Sequence, residues 1–342
     1  MAPDRKIKVH VKNNHGSPDT FPPTPEAEPV FTTTPERWQA ALERHPDVAP
    51  HLEVFIDWDC DHFTESIADT EVLFCWDLPT ENLRAAAPKL NWIHIIGAGV
   101  EHLCPMDWVP EGMQIVNNKG AHKDKAGEFG LMSVLMLHCK LPSIVDNQRD
   151  RVWESLFSTP IADKTVLIAG VGSLGGGAAD CLKPLGVEII GVNRSGRPRA
   201  NVDRMVTTEQ LDDVLPLADY VFVSLPATPH TVGLFDRKRL QSMKKGAGII
   251  NVGRASAMDY GALEDLLRSG HLSGAIIDVF DPEPLPAEDP LWSVPNLILT
   301  PHVSADDGDN YVSITLDILF NNLRRYIHGE PLQNVVDPRL GY

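Results

Sequence analysis

Hydrophobic and polar positions alternate with period two in Lys8-Val9-His10-Val11, which predicts an opening strand. A stretch holding Pro18, Pro22, Pro23, Pro25 and Pro29 follows; it can sustain neither helix nor ladder, so an exposed loop is expected. The pattern then predicts a helix over Pro35–Arg44 and strands at 52–56, 71–75 and 92–96. Residues 128–141 are apolar on nearly every face, as in a helix buried between domains or at a subunit contact. Six further strand candidates, at 165–170, 187–193, 220–226, 247–253, 275–280 and 296–301, are interspersed with helical segments, and a long helical pattern fills 309–328. Strands alternating with helices predict an α/β protein on parallel sheets. A chain of 342 residues exceeds the size at which one core keeps growing. The closing tail is too short to be a domain and is expected to return to the first one. The expected division is a discontinuous domain of residues 1–120 plus 305–342 and a second domain of 121–304, with a ligand cleft between them.

The second domain carries a recognisable turn. Thr165-Val166-Leu167-Ile168-Ala169 runs directly into Gly170-Val171-Gly172-Ser173-Leu174-Gly175 and then a helix. In that context the glycine pattern predicts a dinucleotide site rather than an ordinary turn. Gly170 permits the tight bend, Gly172 lets the backbone approach a pyrophosphate, and Gly175 allows close packing of helix on strand. The phosphates are then expected on free N–H groups around Ser173 and Leu174 at the helix N-terminus. Six strands match a complete dinucleotide domain, so the expected fold is two Rossmann-like doubly wound parallel sheets.

Charge and composition narrow the partners. The formal net charge of −17 disfavours nucleic acid, whose phosphates call for a broad basic surface. The five cysteines are odd in number, scattered and without metal-ligand spacing, which suits a reducing cytosol. Met1-Ala2-Pro3-Asp4-Arg5-Lys6 is unlike a signal region, and no stretch of about 18 apolar residues occurs. A soluble, cytoplasmic protein with no membrane partner is expected. Asp57-Trp58-Asp59-Cys60-Asp61-His62 lacks both a calcium-loop and a zinc pattern, so no metal is expected.

Three segments end predicted strands: Asn251-Val252-Gly253-Arg254, Asp278-Val279-Phe280-Asp281-Pro282-Glu283-Pro284-Leu285, and Thr300-Pro301-His302-Val303-Ser304. That edge of an open α/β sheet is where ligands bind, so Arg254, Glu283 and His302 can converge although distant in sequence. Through these residues the chain resembles the D-isomer-specific 2-hydroxyacid dehydrogenases, over nearly its whole length. The resemblance includes the glycine turn, Ser224-Leu225-Pro226-Ala227-Thr228-Pro229-His230-Thr231 and Met243-Lys244-Lys245-Gly246-Ala247 as well as the three segments. It implies a small-molecule 2-keto or 2-hydroxy acid as substrate, with Arg254 gripping the carboxylate and polarising the keto oxygen. His302 is implied as acid and base, and Glu283 as its partner. It further implies Gly97-Ala98-Gly99-Val100 as a carboxylate-binding loop, Asp278 with Ser304 at the nicotinamide carboxamide, and Leu225, Pro226, Thr231 and Val252 along the cofactor groove. The chemistry agrees: keto reduction develops negative charge on oxygen, which a guanidinium and a proton donor stabilise in the transition state. Trp76 either lines the substrate pocket and selects a bulky or flat side chain, or is an ordinary core tryptophan.

Cofactor choice turns on the end of the second strand. Domains preferring NAD usually place a carboxylate about 20 positions beyond the glycines for the ribose 2′-OH. Here the place reads Gly191-Val192-Asn193-Arg194-Ser195-Gly196-Arg197. No carboxylate repels a 2′-phosphate, while Arg194, Ser195 and Arg197 can donate to one. NADP(H) is favoured over NAD(H); the alternative is arginines that stack on adenine or face solvent. The competing function is a dinucleotide-sensing corepressor on the same scaffold, against which the chain shows no low-complexity tail. The apolar 128–141 helix suits a homodimer, or equally domain packing.

Overall fold

The computed structural model describes residues 5–17 and 20–338, so the expectations that fall on 1–4 and on Pro18 lie outside the described residues. The chain divides into two compact units, Met1–Ala121 with Asp307–Tyr342, and His122–Asp306.

The first unit is a five-stranded parallel sheet of β1 (Ile7–Asn13), β2 (Leu52–Trp58), β3 (Val72–Cys75), β4 (Trp92–Ile95) and β5 (Gln114–Val116), in the order β2-β1-β3-β4-β5. Every residue of β3 and β4 is buried, as expected for strands covered on both faces. On one face the helix Tyr311–His328 lays Val312, Leu316, Leu319, Phe320 and Leu323 on Ile7, Val9, Val11 and Trp38. This packing draws the end of the chain back to its beginning. The helix Pro35–Arg44 forms where expected, with proline in its first turn and the Thr34 side chain accepting from Arg37 N–H. The proline-rich loop is more structured than expected: Pro22 is buried, and Glu28–Phe31 forms one helical turn. β5 went unpredicted because three residues are too few to show alternation.

The second unit is a seven-stranded parallel sheet: β6 (Thr165–Ala169), β7 (Glu188–Asn193), β8 (Arg204–Thr207), β9 (Tyr220–Val223), β10 (Gly248–Asn251), β11 (Gly274–Ile277) and β12 (Leu297–Leu299). Their order, β12-β11-β10-β9-β6-β7-β8, reverses direction between β6 and β9, the switch point of a Rossmann sheet. The α/β expectation holds, with one strand more than the sequence pattern suggested. β8 is an edge strand in which only Val206 is buried, so it carries little apolar signal. Several strands stop early: β9 ends at Val223, which frees Ser224, Leu225 and Pro226 to line the strand end.

The apolar 128–141 segment is two helices rather than one. Lys123–His138 ends before Lys140, whose φ of 57° lies in the left-handed region, and Leu141–Asp150 follows. The first of these meets the helix Ser173–Leu182 backbone to backbone. A Cβ on Gly177 would strike the Lys123 carbonyl; one on Gly127 would lie 2.9 Å from the Gly177 oxygen, and one on Gly130 2.7 Å from the Ala178 Cβ. One face of it is buried within this unit, where Phe129, Val134 and Leu137 join the core with Ile168, Ala178, Leu182 and Phe222, while Met132 stays exposed. Gly177→Ala is expected to destabilise the protein by about 1–3 kcal/mol through overpacking. Gly261→Ala, in an exposed helical turn with its nearest neighbour at 3.4 Å, should be neutral or stabilise by up to about 1 kcal/mol. Paired thermal melts of the two variants check this.

Candidate active site

The glycine turn has the geometry its pattern predicts. Gly170 sits at φ 94°, its N–H bonded to the Val192 carbonyl and its own carbonyl accepting from Ser224 Oγ at 2.7 Å. A Cβ on Gly175 would overlap the Gly170 oxygen and lie 2.7 Å from Ser224 Oγ, so only glycine lets this helix start so close to β6. Gly172, in contrast, opens on empty space and caps the helix Ser173–Leu182 without a side-chain hydrogen bond. Ser173 and Leu174 form its first turn. A glycine kept free of Cβ by packing, next to one that borders open space before a helix N-terminus, is the arrangement a pyrophosphate fits.

At the end of β7 the Asn193 side-chain oxygen accepts from the N–H groups of Ser195 (3.0 Å) and Gly196 (2.7 Å), an Asx turn that throws Arg194 and Ser195 outward. Arg194, Ser195 and Arg197 are exposed and no carboxylate stands among them. A third arginine, Arg199, is used differently: it donates to the Gly176 carbonyl at 2.9 Å and pairs with Asp180 at 3.5 Å.

Arg254, Glu283 and His302 belong to the loops after β10, β11 and β12. His302 Nδ1 lies 2.8 Å from Glu283 Oε2, while Glu283 Oε1 accepts from the Phe280 N–H at 2.7 Å. The bond to Glu283 raises the His302 pKa above its ordinary value. Burial opposes, the charges of Glu283 and Asp278 add to the rise, and Arg254 subtracts from it. For Glu283, burial pushes upward, but the bonds from His302 and the Phe280 N–H and the charges of His302 and Arg254 win, and its pKa falls below the usual range. Arg254 is thus near enough to be felt by both partners. Its guanidinium donates to the Gly253 carbonyl at 2.9 Å.

The residues expected along the cofactor groove make hydrogen bonds of their own within the protein. Asp278 is fully buried and its carboxylate accepts from Thr300 Oγ1 (2.6 Å), Val303 N–H (3.0 Å) and Ser304 N–H (3.1 Å). Asp278 and the buried Ser304 therefore hold the His302 loop in place, with Asp278 Oδ1 taking two of the bonds and Oδ2 the one from Ser304. Thr231 Oγ1 donates to the Pro226 carbonyl at 2.6 Å and accepts from Thr228 N–H at 2.9 Å, so it builds its own turn. Val252 is a core side chain, whereas Leu225 is half-buried and Pro226 exposed.

Four further residues support the site, three of which escaped the sequence pattern. Asn251, fully buried, accepts from Gly253 N–H (3.0 Å) and donates to the Arg254 carbonyl (3.2 Å) and to Tyr260 Oη (3.1 Å). Tyr260 Oη in turn donates to the Val279 carbonyl at 2.7 Å, joining the Arg254 loop to the Glu283 loop. His122 Nδ1 lies 3.1 Å from the Ala305 carbonyl and 3.5 Å from Asp306 Oδ1. Burial lowers the His122 pKa against the pull of Asp306 and Ala305, with His302 and Arg254 adding to the fall, and burial raises that of Asp306. An invariant spacing does not mark such residues; Asn251 alone was visible, as part of the Asn-Val-Gly-Arg run.

In the first unit, the Gly97-Ala98-Gly99-Val100 loop leaves the end of β4. Three of its four carbonyls are taken: Gly97 O by Asn118 N–H (2.9 Å), Ala98 O by Asn117 Nδ2 (2.8 Å) and Val100 O by Leu103 N–H (3.0 Å). Among the described residues the N–H groups of Ala98 and Gly99 make no such bond, so the loop offers donors, the polarity a carboxylate requires. The Val100 side chain is fully buried in the core and can contribute only its backbone. Trp76 is not free to stack on a ligand: Phe21 covers one face (ring centroids 4.2 Å) and His102 the other (4.0 Å), and its edge fills the place of a Gly97 Cβ. Among the described residues no group of three His, Cys, Asp or Glu could hold a metal ion, and no single helix is long and apolar enough to cross a membrane.

Residues 131–304 match the family model for the D-isomer specific 2-hydroxyacid dehydrogenase NAD binding domain. A glyoxylate reductase of Thermofilum pendens is 30% identical over 290 residues, covering 81% of this chain and 84% of that one. A D-3-phosphoglycerate dehydrogenase of Mycobacterium bovis is 29% identical over 74% of this chain, which spans about half (48%) of that protein's length. A D-isomer specific 2-hydroxyacid dehydrogenase from Xanthobacter autotrophicus Py2, crystallised with NADPH and MES, superimposes with a TM-score of 0.81 at 28% identity, covering 99% of this chain and 100% of that one. The chain belongs to the D-isomer-specific 2-hydroxyacid dehydrogenase family and is an NAD(P)-dependent oxidoreductase.

Proposed function

We propose that this protein reduces a 2-keto acid to the D-2-hydroxy acid, taking NADPH in preference to NADH. The observation that carries the proposal is the His302–Glu283 pair under the influence of Arg254 at the strand ends of one sheet. The nicotinamide cofactor, when bound, supplies the hydride. Gly170, Gly172, Ser173, Leu174 and Gly175 hold its pyrophosphate, and Leu225 and Pro226 line its groove. Arg254 holds the substrate and stabilises negative charge developing on the keto oxygen. Because His302 Nδ1 is engaged by Glu283, the proton delivered to that oxygen comes from Nε2. Glu283 stabilises the imidazolium beforehand and orients the ring. Considered by itself, the first unit offers the N–H groups of Ala98 and Gly99, donors of the kind a carboxylate requires. The glyoxylate reductase among the relatives supports a small 2-keto acid as the substrate.

NADP(H) preference is supported by the carboxylate-free end of β7, where Arg194 and Ser195 are exposed, and by the NADPH bound to the Xanthobacter protein. A homodimer belongs to the same proposal, supported by the exposed Met132 of the helix Lys123–His138 and by two further exposed apolar side chains. Trp153 is 99% exposed and Phe157 83%, on the segment following Leu141–Asp150. A second copy of the chain covering them would appear by sizing at micromolar concentration as a dimer; a monomer removes this part of the proposal.

The primary experiment follows NADPH and NADH oxidation against a panel of 2-keto acids; cofactor binding with no turnover on any acid overturns the proposal in favour of a sensor. His302→Ala should lower kcat by about 10²-fold or more with NADPH affinity retained. Reduction needs protonated His302, so its rate is full below the raised His302 pKa and fades as pH rises through it. Glu283→Gln removes the group that raises that pKa, so the fall should move to lower pH, read from the pH profile of kcat/KM. Arg194→Ala should weaken NADPH by about tenfold or more while sparing NADH, in equilibrium titrations of both cofactors.

A further inference from the structure

Within the second unit, the loop between β7 and β8 is tied down at its far side as well as its near one. Asn193 holds the near side, accepting from the Ser195 and Gly196 N–H groups. Beyond Pro198, which has no N–H to give, the chain is held on the helix Ser173–Leu182 by two side chains. Arg199 donates to the Gly176 carbonyl at 2.9 Å and pairs with Asp180, and Asn201 Nδ2 donates to Asp180 Oδ1 at 2.9 Å. The other Asp180 oxygen is taken by Lys123 Nζ at 2.9 Å. Gly176 makes this docking possible. A Cβ there would fall inside the Arg199 guanidinium, whose atoms are its three nearest neighbours. We infer that Gly176 is a positioning residue for cofactor selection: by giving the Arg199 guanidinium a seat on the helix, it fixes the loop on which Arg194, Ser195 and Arg197 meet the 2′-phosphate. The inference rests on the proposed preference for NADPH.

The three consecutive glycines of that helix are kept bare for different reasons. Gly175 is closed off by the Gly170 carbonyl and Gly177 by the Lys123 carbonyl, backbone atoms that cannot yield, whereas Gly176 faces the end of a flexible side chain. Glycine in a helix interior is less stable than alanine, so packing alone gives no reason for one where only a mobile guanidinium stands in the way. The charge of Arg199 is taken up by the helix carbonyl and by Asp180, which leaves the phosphate to Arg194 and Arg197. Arg199 therefore acts through its neighbours. Between the two anchors the loop spans residues 194–198 alone. With the far end released, these residues gain conformations that must be given up again when a 2′-phosphate binds. The 2′-hydroxyl of NADH makes no such demand on them.

Gly176→Ala displaces Arg199 without meeting backbone. The readout is the Kd of NADH divided by that of NADPH, from equilibrium titrations of both. The ratio should fall by about three- to tenfold, the cost of ordering one or two released side chains, with the Kd of NADH within about twofold of wild type. Both cofactors share the pyrophosphate, so damage to the glycine turn weakens them alike and leaves the ratio unchanged; that outcome, or a rise in the ratio, overturns the inference. Arg199→Leu decides between an anchor and a ligand. As an anchor, Arg199 loses the same contact in either variant, and the double variant keeps the ratio of the single ones. A further fall of about threefold or more on adding Arg199→Leu to Gly176→Ala makes Arg199 itself a phosphate ligand and overturns the inference. Should Gly176→Ala fail to fold, Asn201→Gly releases the same end of the loop, keeping the left-handed backbone at φ 62° and removing the bond to Asp180, and is scored by the same ratio. A wild-type protein that binds NADH as tightly as NADPH fails at the proposed preference instead.

Discussion

A carboxylate with no exposed surface must find its hydrogen bonds in the protein, or the cost of burying it runs to several kcal/mol. Asp278 finds three, and all of them lie in the loop that carries His302. The sheet makes this possible: β11 and β12 pair in parallel up to Ile277 and Leu299, so Asp278 and Thr300 are the next residues on adjacent strands as both leave the sheet. Turning the chain between Thr300 and Ser304 puts His302 at φ 53°, a left-handed conformation that costs a residue with a Cβ about 1–2 kcal/mol. The bonds to Asp278 on either side of His302 hold the loop in that state. The position of the acid, and with it the partnership with Glu283, follows from a buried ionisable group one residue beyond the sheet.

The two units solve the recognition of an anion in different ways. The second sets charged groups at the ends of its strands, each restrained by another: Glu283 by the Phe280 N–H, Arg254 by a loop that Asn251 and Tyr260 tie down. The first uses the backbone. Asn117 and Asn118 occupy carbonyls of the 97–100 loop, and Asn118 also reaches the Thr315 hydroxyl at 2.7 Å on the long C-terminal helix. Occupying two of the loop's acceptors shifts its balance toward donors, and it is asparagines outside the loop that do so.

The chemistry was more legible in the chain than its framework was. Arg254, Glu283, His302 and the glycines stand out because their types are unusual at strand ends and their spacing has a mechanical reason. The limits of the sheets were less visible. β5 and β8 are too short or too polar to show period two, and the 128–141 segment gave no sign of its break at Lys140, where nothing but a left-handed backbone divides two helices. Side-chain roles that depend on who arrives from elsewhere were beyond the pattern. Of the two readings open for Trp76, the covering of its faces by Phe21 and His102 is visible only in the structure, as are the bonds by which Asp278 holds Thr300, Val303 and Ser304. Tyr260 and His122 carry no motif at all.

The tie made by Tyr260 has a consequence for protons. Its hydroxyl donates to a carbonyl and accepts from an amide, neither of which can reverse, and burial raises its pKa far above neutrality. Behind Glu283 stands an amide N–H, which holds its hydrogen as firmly. No chain of groups able to pass a proton therefore leads from the His302–Glu283 pair through Tyr260 or Phe280 into the sheet. The His302 side chain is 48% exposed, and that open side is where it meets water. Resupply of the acid between turnovers is consequently a matter of solvent access to one imidazole edge, and the interior on this side behaves as an insulator.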